Sequence, residues 1–324
     1  MTSSASTSRI LIISDTHGTN PINSPLPPVD LIIHCGDLTQ ESKLCEYNQA
    51  ISLLKSLDAP VKLVIAGNHD FTLDTPIYAQ KLIEAGLQPP SQDQVVKKTY
   101  GDFGEARALL AARRDDGIFF LDKGTHEIAL ANGVTLKVFA SPCTPSKAGG
   151  WAFTYDPAEQ HHWSISKDID IAITHGPPQG ILDRTDEAKR AGCPDLFAAI
   201  ATVRPRIHCF GHIHEAWGTK QVVWRDDSGT PPSHFTAINN DASKLIESLG
   251  TLRPGKFDSA EEKRRKEEKV EELVKKGYCY TRAEAQKGVQ TLFVNAAIEG
   301  GSEETRRLPW IVELDLPLST CVTE

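Results

Sequence analysis

Five short words carry residues able to ligate a divalent ion. They are "SDTHG" with Asp15 and His17, "CGDLT" with Asp37, "GNHD" with Asn68, His69 and Asp70, "THGPP" with His175, and "GHIH" with His212 and His214. Carboxylates, an amide oxygen and imidazoles make a mixed oxygen and nitrogen set, suited to manganese, iron, zinc or a related divalent ion rather than to a thiolate metal. Asp15 and His17 stand two apart, so at an extended strand end both side chains leave on one face. Glycines beside the ligands allow sharp turns and close backbone approach. Taken singly these signals are weak, because a lone histidine at a strand end is usually a satisfied polar residue. Five such words in one chain form a strong conjunction.

The elements that must position them are legible as apolar runs. "RILIIS", "VDLIIHCGD", "VKLVIAGNHD", "IDIAITHGPP" and "RIHCFGHIH" are each short, aliphatic and cut off by a polar residue. Such runs read as strands buried on both faces, with the polar residues gathered at the carboxyl edge of a sheet. Helical spacing predicts helices over Ser42 to Leu57, Pro76 to Gly86 and Cys193 to Val203, and the Asn132-Gly133 pair predicts a β-hairpin. The result is a layered α/β body with a mixed sheet or two sheets.

A Ser/Thr-rich stretch, residues 1–8, reads as a disordered tail ahead of a single domain over 9–324. Within that domain, residues 226–290 stand apart, and their centre "SAEEKRRKEEKVEELVKKG" is nearly all charge. Glu262 with Lys266 favours an exposed helix there and Glu268 with Glu272 opposes it. The segment is read as a solvated helical insertion, with a protein-docking arm or a lid as the alternative.

A chain of 324 residues buries roughly 75% of its unfolded surface and needs no covalent staples. Its net charge of -8 argues against a nucleic-acid polymer as partner, although bound ions can reverse the sign of a small site. Seven irregularly spaced cysteines with no CxxC pair suggest neither a disulfide framework nor a structural zinc. The polar N-terminus lacks a signal-peptide core and no apolar run reaches membrane-spanning length, so the expectation is a cytoplasmic protein without a membrane anchor.

The words "LIISDTHG", "LIIHCGDLT", "VIAGNHDFTLD", "GGWAF", "ITHGPPQG", "VRPRIHCFGHIHEAWG" and "FVNA" resemble the calcineurin-like metallophosphoesterase superfamily. They are most similar to the branch of small metallophosphoesterase-domain proteins related to cyclic-nucleotide phosphodiesterases. The resemblance implies a four-layer αββα sandwich, two packed mixed β-sheets flanked by helices, with a dinuclear metal site at strand C-terminal ends. It implies that one ion takes Asp15, His17, His214 and a shared Asp37, and the other takes Asp37, Asn68, His175 and His212. Manganese is favoured among manganese, iron, zinc and magnesium.

That division is chemically sensible, since a carboxylate can bridge while an imidazole serves one ion. Two ions about 3.5–4 Å apart can share a water, lower its pKa and present hydroxide to phosphorus. His69 would then protonate the leaving group, as a side chain with an ordinary pKa of about 6.5 can. Asp70 is expected either to orient His69 or to serve as a turn residue, and His34 either to orient Asp37 or to be a core histidine.

The implied activity is hydrolysis of small phosphodiesters, cyclic nucleotides among them. The alternatives are a broad phosphomonoesterase, a nuclease with the same centre, or a non-catalytic interaction module. "GDLTQES" lacks the second Asp and the Arg of phosphoprotein phosphatases, and "GNHD" stands where they have GNHE. His212 is retained here, whereas some weakly active relatives have lost its counterpart. Arg184, Lys189 and Arg190 read as solvated before they read as phosphate contacts. Trp151 and Phe153 read first as packing beneath a loop and second as a surface for a base.

Overall fold

The computed structural model describes residues 5–226, 231–299 and 307–318. In chain order the first half comprises β1 (Ala5–Ile13), β2 (Leu31–His34), α1 (Leu44–Ser56), β3 (Val61–Val64), α2 (Thr75–Glu84), α3 (Gln94–Tyr100), α4 (Glu105–Ala111) and β4 (Ile118–Phe120). Next come β5 (Gly124–Ala129), β6 (Thr135–Ser141), β7 (Thr144–Pro145), β8 (Thr154–Tyr155), β9 (Ile171–Thr174), α5 (Pro194–Val203), β10 (Ile207–Phe210) and β11 (Gly218–Trp224). The remainder is α6 (His234–Ala237), β12 (Ile238–Ser248), α7 (Leu249–Leu252), α8 (Ala260–Lys276), β13 (Cys279–Arg282), β14 (Gln290–Asn295) and β15 (Trp310–Pro317).

Two large mixed sheets result, in the orders β13-β15-β1-β2-β3-β4 and β12-β11-β14-β10-β9-β6-β5. Side-chain alternation explains why their central strands read as continuous apolar runs. Ile10, Ile12, Leu31, Ile33 and Leu63 of the first sheet meet Leu136, Val138, Ile171, Ile173 and Val294 of the second in the inner core. The alternate residues Leu11, Ile13 and Ile32 face outward onto Tyr47, Ile51 and Leu54 of α1 and Leu110 of α4. On the far side, Phe139, Ala172, Phe210 and Phe293 take Leu196, Phe197 and Ile200 of α5. The fold is therefore the four-layer αββα sandwich.

Residues 5–8 correct the expectation of a disordered tail. β1 begins at Ala5 and pairs antiparallel with β15, from Ala5 opposite Pro317 to Ile12 opposite Trp310. Thr7 Oγ1 also donates to Asp315 Oδ1 at 2.6 Å. A partner some 300 residues away supplies this ladder, so local composition does not reveal it. Residues 1–4 lie outside the described set.

The 226–290 segment does more than carry a charged helix. Its β12 pairs with β11 at the edge of the second sheet, and its β13 pairs with β15 at the edge of the first. Between them α8 is capped by Ser259 and ended by Gly277 in the left-handed region. Val270 and Leu273 of α8 pack on the inner core, Val274 is half-buried beside them, and most of its remaining residues face water. No helix among the described residues is long and apolar enough to cross a membrane.

Candidate metal centre

Every candidate ligand stands just beyond the C-terminal end of a central strand. Asp15 and His17 follow β1, Asp37 follows β2, Asn68 to Asp70 follow β3, His175 follows β9, and His212 and His214 follow β10. Four of them have left-handed backbone: Asp15 at φ 55°, His17 at 46°, Asp37 at 53° and His212 at 67°. Such a conformation costs a non-glycine residue about 1–3 kcal/mol and persists only where the surroundings over-determine it. The glycines between them leave room for oxygen atoms. A Cβ on Gly67 would lie 2.2 Å from Asp37 Oδ1, and one on Gly211 would lie 2.0 Å from Asp15 Oδ2.

Among the described residues, three sets of candidate ligand atoms converge within 4.8 Å: Asp15 with His17 and His214, His17 with Asp37 and His69, and Asp37 with His175 and His212. Asp37 thus faces both groups of imidazoles. His175 Nδ1 donates to Cys35 O at 2.9 Å and His17 Nδ1 to Thr39 O at 3.2 Å. A carbonyl can only accept, so in each neutral ring the proton is on Nδ1 and the Nε2 lone pair points inward. His175 Nε2 lies 2.9 Å from Asn68 Oδ1 and 3.3 Å from Asp37 Oδ2. His214 Nε2 lies 3.2 Å from Asp15 Oδ1, whose carboxylate is fixed by the backbone N–H of His212. His17 Nε2 is buried without an aligned hydrogen-bond partner. A buried lone pair aimed into a nest of oxygen and nitrogen donors is what a divalent ion requires, and the residues fit one.

The charges are strongly coupled. Burial lowers the His17 and His175 pKa values, but neighbouring carboxylates outweigh it and hold both up at about 9. Glu299 and Asp37 act most on His17, and Asp37 and Asp15 on His175. Burial likewise pushes Asp15 and Asp37 up, yet the surrounding histidines keep both below the ordinary carboxylate range. His212 goes the other way, to about 4, through burial and the charge of His175.

For Asp70 and His34 the structure agrees with the second of the two alternatives, a turn residue and a buried histidine. Asp70 does not reach the His69 ring. Its oxygens accept from Leu38 N, Thr39 N, Thr39 Oγ1 and Gly67 N, which clamps the Asp37 loop to the Asn68 loop. The His69 ring is held instead by Gln40, with Nδ1 donating to its carbonyl at 2.9 Å. His34 supports Thr16 rather than Asp37, its Nε2 lying 2.9 Å from Thr16 Oγ1 between Asp15 and His17.

Other side chains fall where no local pattern pointed. Glu299 is an unanticipated carboxylate at the site, with Oε2 2.8 Å from His17 Nε2 and 3.9 Å from His214 Nδ1. It follows "FVNAAI" with no ligand spacing, so the only signal was its place after a resembling word. Lys189 pairs with Glu187 at 2.6 Å and Arg190 with Asp183 at 3.2 Å. Phe153 packs against the outer core as expected, whereas Trp151 stands 39% exposed beside His69.

A family model described as calcineurin-like phosphoesterase matches residues 8–216, a span holding all the candidate ligands. The chain is 33% identical over 216 residues to the human and mouse proteins called metallophosphoesterase domain-containing protein 1, covering 65% of this chain and 61% of theirs. It is 34% identical over 219 residues to a protein of Emericella nidulans called probable rhamnogalacturonate lyase C, covering 67% of this chain. That match spans only 18% of the Emericella protein.

Proposed function

The chain belongs to the calcineurin-like phosphoesterase family, and from that premise we propose that it hydrolyses small phosphodiesters, with cyclic nucleotides as the candidate substrates. The family and the histidine-aspartate clusters support a metal-dependent phosphoesterase. The observation that carries the reading furthest is Asp37, whose carboxylate faces two separate imidazole groups. Asp15, His17, His214 and Asp37 would hold one divalent ion, and Asp37, Asn68, His175 and His212 a second, with manganese favoured. When bound, the ions supply a water of lowered pKa and neutralise charge on the phosphate.

The chain's own residues set up the proton transfer. Because the His69 Nδ1 proton is engaged by Gln40 O, the transferable proton of the cationic ring is on Nε2. The His69 backbone N–H donates to Asp37 Oδ1 at 2.8 Å, which ties the acid to the shared carboxylate. His69 is thus placed to hand its Nε2 proton to the departing alkoxide. Asp70 is the positioning residue that keeps the two loops in register.

A substrate panel tests the assignment. Bis-p-nitrophenyl phosphate, p-nitrophenyl phosphate, 2′,3′- and 3′,5′-cyclic nucleotides and single-stranded DNA are offered to metal-reconstituted protein. Turnover of the small diesters is expected. Turnover of monoesters alone, or of DNA alone, contradicts the proposal.

A further inference from the structure

The exposed indole of Trp151 belongs neither to the candidate ligands nor to the proton path. Large aromatic side chains are normally buried, and the other four tryptophans obey this: Trp163, Trp217, Trp224 and Trp310 are at most 8% exposed. Trp151 is 39% exposed, with its ring centroid 4.7 Å from that of His69. Its position is fixed rather than loose. Ala152 N donates to Asn68 O at 3.2 Å, Phe153 N to Asp74 Oδ2 at 2.9 Å, and Thr154 Oγ1 to the carbonyl of Trp151 at 2.9 Å. Phe153 holds a left-handed φ of 55° to keep the turn. The Lys81 ammonium, without a carboxylate partner among the described residues, lies 5.6 Å from the indole centroid.

We propose that Trp151 is the stacking surface for a planar aromatic leaving group, a nucleoside in particular. The inference rests on His69 acting as the proton donor in the hydrolysis proposed above. The group attached to the protonated oxygen then lies on the His69 side of the site, where the indole offers an exposed apolar surface. An aromatic face accepts any flat ring, and its substitution by alanine costs a stacked base a measurable part of its affinity.

The test compares two ligands that share a phosphate and differ by a base. A nucleoside 5′-monophosphate and ribose 5-phosphate are titrated by calorimetry into metal-reconstituted protein. The nucleotide should bind on the order of tenfold more tightly and quench tryptophan emission, since the other four indoles are buried. Trp151→Ala should abolish that difference, and Trp151→Phe should keep most of it. Equal affinities in the unsubstituted protein, or an undiminished preference in Trp151→Ala, would overturn the proposal and leave Trp151 as a buttress for His69. Because the readout is binding, absence of phosphoester turnover would count against the hydrolase reading alone. Equal affinities beside normal turnover would count against the stacking surface alone.

Discussion

The candidate metal-ligand loops and helix α8 are both dense in charge, and they use it in opposite ways. Asp15, Asp37 and Asp70 are at most 2% exposed, and each oxygen is fixed by named N–H groups or imidazoles. No residue of α8 is buried, and its Arg264–Glu268 pair joins side chains 66% and 60% exposed. A buried charge must be paired and hydrogen-bonded, so it dictates geometry around it. An exposed pair is worth about 0.3–0.5 kcal/mol and dictates little. Charge density is therefore no guide to function until burial is known.

The largest predicted effect separates chemistry from ligation within the site. His69→Asn should lower kcat by about 10²–10⁴ while bound metal is retained, as removal of a general acid does. A loss of metal together with activity would recast His69, which sits within ligand distance of His17 and Asp37, as a ligand.

Gly67→Ala tests the packing of the shared carboxylate. The added Cβ must displace Asp37 Oδ1, and misplacement on the ångström scale costs about 10²-fold in rate. Unchanged kcat/KM would show that the loop has room the structure denies it.

The raised histidine pKa values set a pH dependence for ion binding. His17 and His175, at about 9, are protonated at pH 7 before an ion binds, so ligation must displace protons. Apparent metal affinity should rise with pH up to about 9, and calorimetry in buffers of differing ionisation heat should show proton release. The same shift stabilises the ion-free fold below about pH 6.5, and that contribution fades as pH climbs through about 9. Proton-neutral binding at pH 7 would contradict the charge arrangement.

The smallest effects belong to α8. Leu273→Ala should cost about 1–2 kcal/mol in denaturant unfolding, less than the 2–5 kcal/mol of a fully buried leucine. Arg264→Ala should stay within about 0.5 kcal/mol. Neither should change kcat/KM. A large rate effect from either would make α8 part of the site and collapse the contrast.

The candidate ligands could be picked out because their placement is local: an aliphatic run buried on both faces must end where a polar residue appears. The completion of the first sheet was less legible, since β1 finds β15 only through the register from Ala5 to Ile12. The role of Asp70 stayed open for a similar reason, as its neighbour in sequence is His69 while its partners are Leu38, Thr39 and Gly67. Glu299 reaches His17 from 282 positions away, and no spacing rule spans that distance. The 226–290 segment read as an insertion because its charge is local, whereas its strands β12 and β13 owe their existence to edge partners elsewhere.

The central claim is that Asp37 joins two ion sites into one hydrolytic centre. Metal content and bis-p-nitrophenyl phosphate turnover, measured side by side for the unsubstituted protein and Asp37→Asn, test it most directly. The account predicts two divalent ions per chain with turnover in the first, and loss of both metal and turnover in the second. Full activity with undiminished metal in Asp37→Asn would contradict it.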